Sequence, residues 1–247
     1  MTAIETPQAD GRHVGRPLKR KEDPRLITGR ATYVDDLNPV GTLWMAFVRS
    51  PEAHATITSI DASAALARED VVAVYTAEDL DLAAPLPMAW APPGIDLNVP
   101  EHWPLARGRV AHVGDPVAVV IGEDRYSVVD AAEDVIVEYE PLPVVTDPEE
   151  ALRDEVLVHP DLPSNTVHEW SLGGGDLEAG FAEADVVIER RIVNHRTAGG
   201  AIEPRAVLAE ERAGHLTVWS STQIPHFLRL FLSIMLDLSE ERVRVIA

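Results

Sequence analysis

Hydrophobic and polar residues alternate along ATITSID, residues 55–61, whereas VVAVYT, residues 71–76, and PVAVVI, residues 116–121, are nearly unbroken apolar runs. Alternation with period two predicts a strand with one wet face, and a short apolar run between turn signals suits a buried strand. GTLWMAFVRS, flanked by Gly41 and Pro51, and DVIVEYE, residues 134–140, read as further strands, as does ATYVDDL, residues 31–37. ASAALARED after Asp61 and RYSVVDAAE after Asp124 have helical composition, and each aspartate suits an N-cap. A strand, helix, strand succession therefore occurs twice.

Residues 81–107 carry Pro85, Pro87, Pro92, Pro93, Pro100 and Pro104 and predict a long surface loop. EPLPVVTDPEEALRDEVLVHPDLPSN, from Glu140, is acidic and proline-rich and reads as a connector between two bodies. Within it Asp147 and Pro148 fit the N-cap and first position of a short helix, because proline has no amide hydrogen to leave unpaired there. Beyond it, LGGGDLEAGFAEADVVIERRIV predicts a glycine turn, a short helix and a strand. AVLAEE and HLTVWSS predict a hairpin around RAGH, and VRVIA a last strand.

In PHFLRLFLSIMLDL the polar residues Arg229, Ser233 and Asp237 recur every fourth position, so the pattern predicts a helix with one narrow wet stripe and an otherwise buried circumference. Pro225 suits its first turn, and Ser221, Thr222 or Gln223 can satisfy its free amides.

Composition narrows the function. With 41 acidic against 21 basic side chains the formal charge is −20, which repels nucleic-acid backbones and anionic lipid. The exception is a basic island, Arg16, Lys19, Arg20, Lys21 and Arg25, within a polar N-terminal arm over residues 1–25. No cysteine is present, so disulfides and cysteine-ligated clusters or zinc on this chain are excluded. No signal-peptide core or membrane-length apolar stretch is visible, and a cytoplasmic location is expected, with neither nucleic acid nor membrane insertion.

The motifs of helical zinc proteases, nucleophile elbows and phosphate loops are absent: His168-Glu169 lacks its second histidine, and Gly173, Gly174 and Gly175 read as a flexible turn. His54 and His226 follow prolines at element ends, where capping or surface roles are expected. Glu203-Pro204-Arg205 brackets a proline with opposite charges and reads, taken alone, as a salt-bridged loop. Gln223 offers an amide donor and a carbonyl acceptor at the mouth of a helix, where a cap is the ordinary role.

Six segments in order change these odds: VGRPLKRKEDPRLITGRATYVDDL, SPEAHATITSIDASAALAREDVVAVYTAEDL, GDPVAVVIGEDRYSVVDAAEDVIVEYEPLP, GGDLEAGFAEADVVIERR, AIEPRAVLAE and VWSSTQIPH. Together the chain resembles the large, molybdopterin-binding subunit of the xanthine oxidase family of molybdenum hydroxylases, most closely the branch of the aerobic carbon monoxide dehydrogenase large chain. The resemblance implies an α+β fold. An α/β hammerhead domain at 26–141 is expected after the arm, then a linker at 142–165 and the first part of a molybdenum-cofactor-binding domain at 166–247.

It further implies a molybdenum-molybdopterin cytosine dinucleotide cofactor, an FAD-binding medium subunit, a 2Fe-2S small subunit and a small-molecule substrate oxidised with water-derived oxygen. By the resemblance Gln223 hydrogen-bonds an oxo ligand of the metal, with Glu203, Pro204 and Arg205 as supporting shell and no metal ligand on the protein. The glutamate that serves the family as general base matches nothing here, so activity is expected only with the remainder of the large subunit. The alternatives are a non-catalytic assembly module and a truncated relic.

Overall fold

The computed structural model describes residues 17–90 and 92–247. The part of the predicted arm before residue 17, including Arg16, lies outside the described residues. From Leu18 the chain is exposed and enters α1 (Asp23–Ile27), where Arg20 pairs with Asp23 at 2.9 Å. ATYVDDL is not a strand. Val34–Asp36 is a 3-10 turn closed reciprocally by Tyr33 and Asp36, whose carboxylate accepts the Tyr33 amide, so a local acceptor outcompetes strand pairing.

The first body follows the alternation read above. In order it comprises β1 (Trp44–Arg49), β2 (Ala55–Asp61), α2 (Ser63–Leu66), β3 (Val71–Thr76), β4 (Arg109–Val110), β5 (Pro116–Gly122), α3 (Ser127–Glu133) and β6 (Ile136–Pro141). Two three-stranded antiparallel sheets result, in the orders β1-β5-β3 and β4-β2-β6. Each strand, helix, strand unit carries the chain from one sheet to the other, so α2 and α3 are inter-sheet connections and not parallel crossovers.

β5 explains how the sheets share a core. Ala118 and Val120, two residues apart, pack with Val48, Ala65, Ala131 and Val135, while Val117 on the opposite face packs with Ala55 and Val110 beneath the other sheet. Burial on both faces is what its apolar run requires. VVAVYT has the same pattern but forms β3 at a sheet edge, with Val72 and Tyr75 exposed, so the expected burial holds for β5 and not for β3.

Residues 81–107 contain no helix or strand among the described residues, as the prolines predict. The loop is nonetheless tied down: Leu86 N donates to His102 O, Ala106 N to Pro116 O, and the Arg107 guanidinium lies 3.3 Å over the Trp103 ring. The connector turns through α4 (Pro148–Ala151), where the Asp147 carboxylate accepts the amides of Glu149 and Glu150, the capping geometry that Asp147-Pro148 predicts.

His54 is not at the surface. It is 6% exposed, donates Nδ1–H to Pro143 O at 2.7 Å, and its backbone carbonyl accepts Leu142 N, so it anchors the connector to the first body. Nearby His159 has its pKa lowered by burial first, with Arg109 and His54 adding to the depression and Asp115 and Asp161 opposing it. A depressed imidazole binds fewer protons folded than unfolded. Stability is therefore greater above the ordinary value of 6.5 and falls as pH drops from there through the folded pKa. Urea midpoints measured between about pH 7 and about pH 5 are expected to fall less in His159→Gln than in the parent; equal slopes would refute this.

The last part comprises α5 (Leu177–Glu183), β7 (Val207–Arg212), β8 (His215–Ser220), α6 (Pro225–Met235) and β9 (Val243–Ile246). β7 and β8 form the predicted hairpin, with Ala213 and Gly214 both at positive φ as a two-residue loop of this hand requires. β9 runs parallel to β8, and α6 is the crossover between them. The strand expected in DVVIERRIV does not form: residues 184–205 are irregular and, apart from half-buried Glu203, exposed, because no neighbouring strand supplies partners for their backbone.

Candidate functional site

The β7–β8 register pairs Val207 with Ser220, and one step further Ser221 N donates to Ala206 O at 3.2 Å while Ala206 N donates to Ser221 Oγ at 2.9 Å. The serine side chain thus replaces a ladder bond at the sheet end. Pro204 has no N–H to continue the ladder, and Thr222 N turns back onto Ser220 O at 2.8 Å, so both strands leave the sheet together. The Glu203-Pro204-Arg205 segment and the Thr222-Gln223 segment thus flank the same end of the hairpin.

Thr222 Oγ1 accepts the amide of Ile224, the N-cap of α6, at 3.2 Å, and Pro225 fills the first helical position. Thr222 thus holds the N-cap residue, Ser221 is committed to Ala206, and among the described residues no side chain caps the helix amides that follow. Gln223 is exposed, and among the described residues its amide makes no hydrogen bond. It is a free donor and acceptor held between two fixed neighbours.

Glu203 and Arg205 do not pair with each other, which corrects the salt-bridged reading. Instead Glu203 Oε1 accepts Val34 N at 3.1 Å, beside the Arg125–Asp35 ion pair of 3.1 Å, so this carboxylate ties the segment to the 3-10 turn at 34–36. Arg205 and Pro204 are exposed. The partnership spans 169 positions and no local pattern announces it.

The wet stripe predicted on α6 is interrupted: Arg229 and Asp237 are exposed, but Ser233 between them is not. Ser233 is buried, its hydroxyl donating to Leu230 O at 2.7 Å, and Met235 beside it is buried as well; Arg229 pairs with Glu240, and Asp237 lies past the helix end. A hydroxyl satisfied by its own helix is cheap to bury. The rest of the circumference is not buried as expected: Phe227 is 51%, Leu230 36% and Ile234 45% exposed.

Among the described residues no three His, Cys, Asp or Glu side chains converge on a possible metal site. What Gln223 offers is therefore hydrogen bonding, not ligation. That chemistry fits a metal carried on its own organic ligands and positioned through polar contacts. No helix of the described residues is long and apolar enough to cross a membrane.

Residues 28–143 match the family model described as "Aldehyde oxidase and xanthine dehydrogenase, a/b hammerhead domain", and residues 158–247 match "Molybdopterin cofactor-binding domain". The chain belongs to the xanthine oxidase family of molybdenum hydroxylases. It matches the hammerhead domain and the start of the cofactor-binding domain of that family's large subunit.

Among curated relatives, it is 35% identical to the nicotine 6-hydroxylase large subunit of Paenarthrobacter nicotinovorans over 95% of this chain and 29% of that protein. It is 37% identical to the carbon monoxide dehydrogenase large chain of Hydrogenophaga pseudoflava, over 92% of this chain and 30% of that one. Quinoline 2-oxidoreductase from Pseudomonas putida 86 superposes with a TM-score of 0.82 at 33% identity, covering 92% of this chain and 29% of that one. The chain thus spans about 30% of the length of the curated molybdenum hydroxylase subunits it matches. Some of these are subunits of larger complexes, as the 6-hydroxypseudooxynicotine dehydrogenase complex subunit gamma is by name.

Proposed function

We propose that this chain is part of the large subunit of a cytoplasmic molybdenum-dependent oxidoreductase. The enzyme oxidises a small molecule with oxygen taken from water. The chain would span a hammerhead domain at 26–141, a linker at 142–165 and the opening of the cofactor domain at 166–247, and would act with the remainder of that subunit. The observation that carries the reading is Gln223, an exposed amide without a partner among the described residues, at the mouth of α6 and inside the segment matched to the cofactor-binding domain.

The cofactor in this reading is a molybdenum-molybdopterin cytosine dinucleotide, which supplies oxygen transfer and takes up the substrate's electron pair. Gln223 donates its amide N–H to an oxygen held beside it, stabilising charge there without taking up a proton. Glu203, Pro204 and Arg205 shape the neighbouring wall, Glu203 through its hold on Val34. Electrons leave through a 2Fe-2S small subunit and an FAD-binding medium subunit.

The test is elemental and nucleotide analysis of the complex isolated through this chain from its native cells. Stoichiometric molybdenum, with cytidine monophosphate released by acid hydrolysis, is the expected result. A complex that contains a full-length large-subunit equivalent but no molybdenum would sink the proposal.

A further inference from the structure

Arg191 pairs with Glu149 at 2.6 Å, and the hairpin opens with the Ala206–Ser221 bonds. Between them, among the described residues, the only hydrogen bond made by residues 192–205 is the one from Val34 N to Glu203 Oε1. That single bond decides where the Glu203-Pro204-Arg205 wall stands as it enters the hairpin end that Gln223 also flanks.

The donor side of the bond is firmly placed. Val34 opens the 3-10 turn, and the first amides of a helical turn have no acceptor inside it. Asp36 is occupied with Tyr33 N at 2.8 Å, so the half-buried Val34 amide needs an acceptor from elsewhere. Asp35, the next residue, pairs with Arg125 at 3.1 Å. Arg125 in turn follows Asp124, whose carboxylate accepts Tyr126 N and Ser127 N at the entry to α3, and its guanidinium lies 5.2 Å over the Trp44 ring. Trp44 pairs with Gly122 at the end of the β1–β5 ladder. The turn is thereby fastened to that end of the hammerhead sheet.

We infer that the 34–36 turn is the gauge by which the hammerhead body sets the wall beside Gln223. Glu203 is a positioning residue that acts through the Val34 N–H, as a hydrogen-bond acceptor and not as a charge. The inference rests on the large-subunit reading. Asp35 and Asp36 directly follow Val34, so a third negative charge gains nothing there, whereas an acceptor for the orphaned amide does.

Two substitutions delete the bond from opposite ends. Glu203→Ala removes the acceptor. Val34→Pro removes the donor: Tyr33, at φ −99° and ψ 167°, already has the extended backbone that a residue before proline adopts, and the first position of a helical turn accepts proline. Glu203→Gln keeps a carbonyl acceptor of the same reach. In the assembled enzyme Glu203→Ala and Val34→Pro are each expected to lower kcat about ten-fold, and the double variant no further than either. Glu203→Gln should stay within about two-fold of the parent. A second readout needs no activity. In the full 247-residue chain the Val34 amide should exchange about ten-fold faster in Glu203→Ala than in the parent, and near the parent rate in Glu203→Gln. Unchanged protection of the β1–β5 and β7–β8 amides shows that all variants remain folded.

Additive losses in the double variant overturn the inference, as does Glu203→Gln falling as far as Glu203→Ala, since the carboxylate then acts by its charge. A Val34 amide that exchanges alike in parent and Glu203→Ala overturns it too. Parent kcat in Val34→Pro beside a large loss in Gln223→Ala refutes the gauge and leaves the cofactor reading standing. A complex without molybdenum in which Glu203→Ala still frees the Val34 amide does the reverse.

Discussion

Replacing Gln223 by alanine is expected to lower kcat of the assembled enzyme by roughly 10²- to 10³-fold, the range found when one preorganised donor to developing charge is removed. KM should change much less, because the lost bond is one that strengthens on the way to the transition state. Stability provides the control. The side chain is exposed and has no partner among the described residues, so its removal should alter the unfolding free energy by no more than about 0.5 kcal/mol. Gln223→Glu keeps the length but replaces the N–H donor with an acceptor, and should be at least as damaged as alanine near neutral pH. Kinetics with saturating substrate, alongside denaturant curves of both variants, decide the matter. Activity equal to the parent in Gln223→Ala would leave the chain an assembly module.

The elements legible in the sequence are those whose signals are local. ATITSID became β2 over the same residues, and Asp147-Pro148 opened α4, because period-two alternation and a capping carboxylate act within a few positions. The Gln223 segment was legible for the same reason: Ser221, Thr222 and Pro225 define the corner by short-range hydrogen bonds and a fixed φ. Failures occur where a partner distant in sequence decides. VVAVYT and PVAVVI look alike, and only sheet order makes one an edge and the other a centre. DVVIERRIV carries strand chemistry but meets no strand, and a strand is a pairing, not a property of one segment. On α6 Arg229 and Asp237 are wet as their spacing predicts, but Ser233 is buried, and Phe227, Leu230 and Ile234 are exposed where burial was expected. Ser233 bonds to its own helix, so it no longer needs water.

A second large effect lies far from Gln223, at the end of β5. A methyl group built on Gly122 would sit 2.6 Å from Asp70 O and 2.7 Å from Val128 Cγ1, both closer than carbon contacts permit. The carbonyl cannot simply retreat, because it accepts Glu123 N at 3.0 Å and lies in the turn that feeds β3. Gly122→Ala is therefore expected to destabilise the hammerhead body by about 2–3 kcal/mol, in the upper part of the range for overpacking. Native-state hydrogen exchange localises the cost: amides of the β1–β5 ladder should lose that protection while those of β7–β8 keep theirs. Adding Val128→Ala removes one of the two clashes. The double variant should then be more stable than the sum of the two single changes by about 1 kcal/mol, a coupling that distant, independent sites do not show. If Gly122→Ala changes exchange by less than about 0.5 kcal/mol, the turn at Asp70 yields freely and the packing at this end of β5 is looser than its geometry implies.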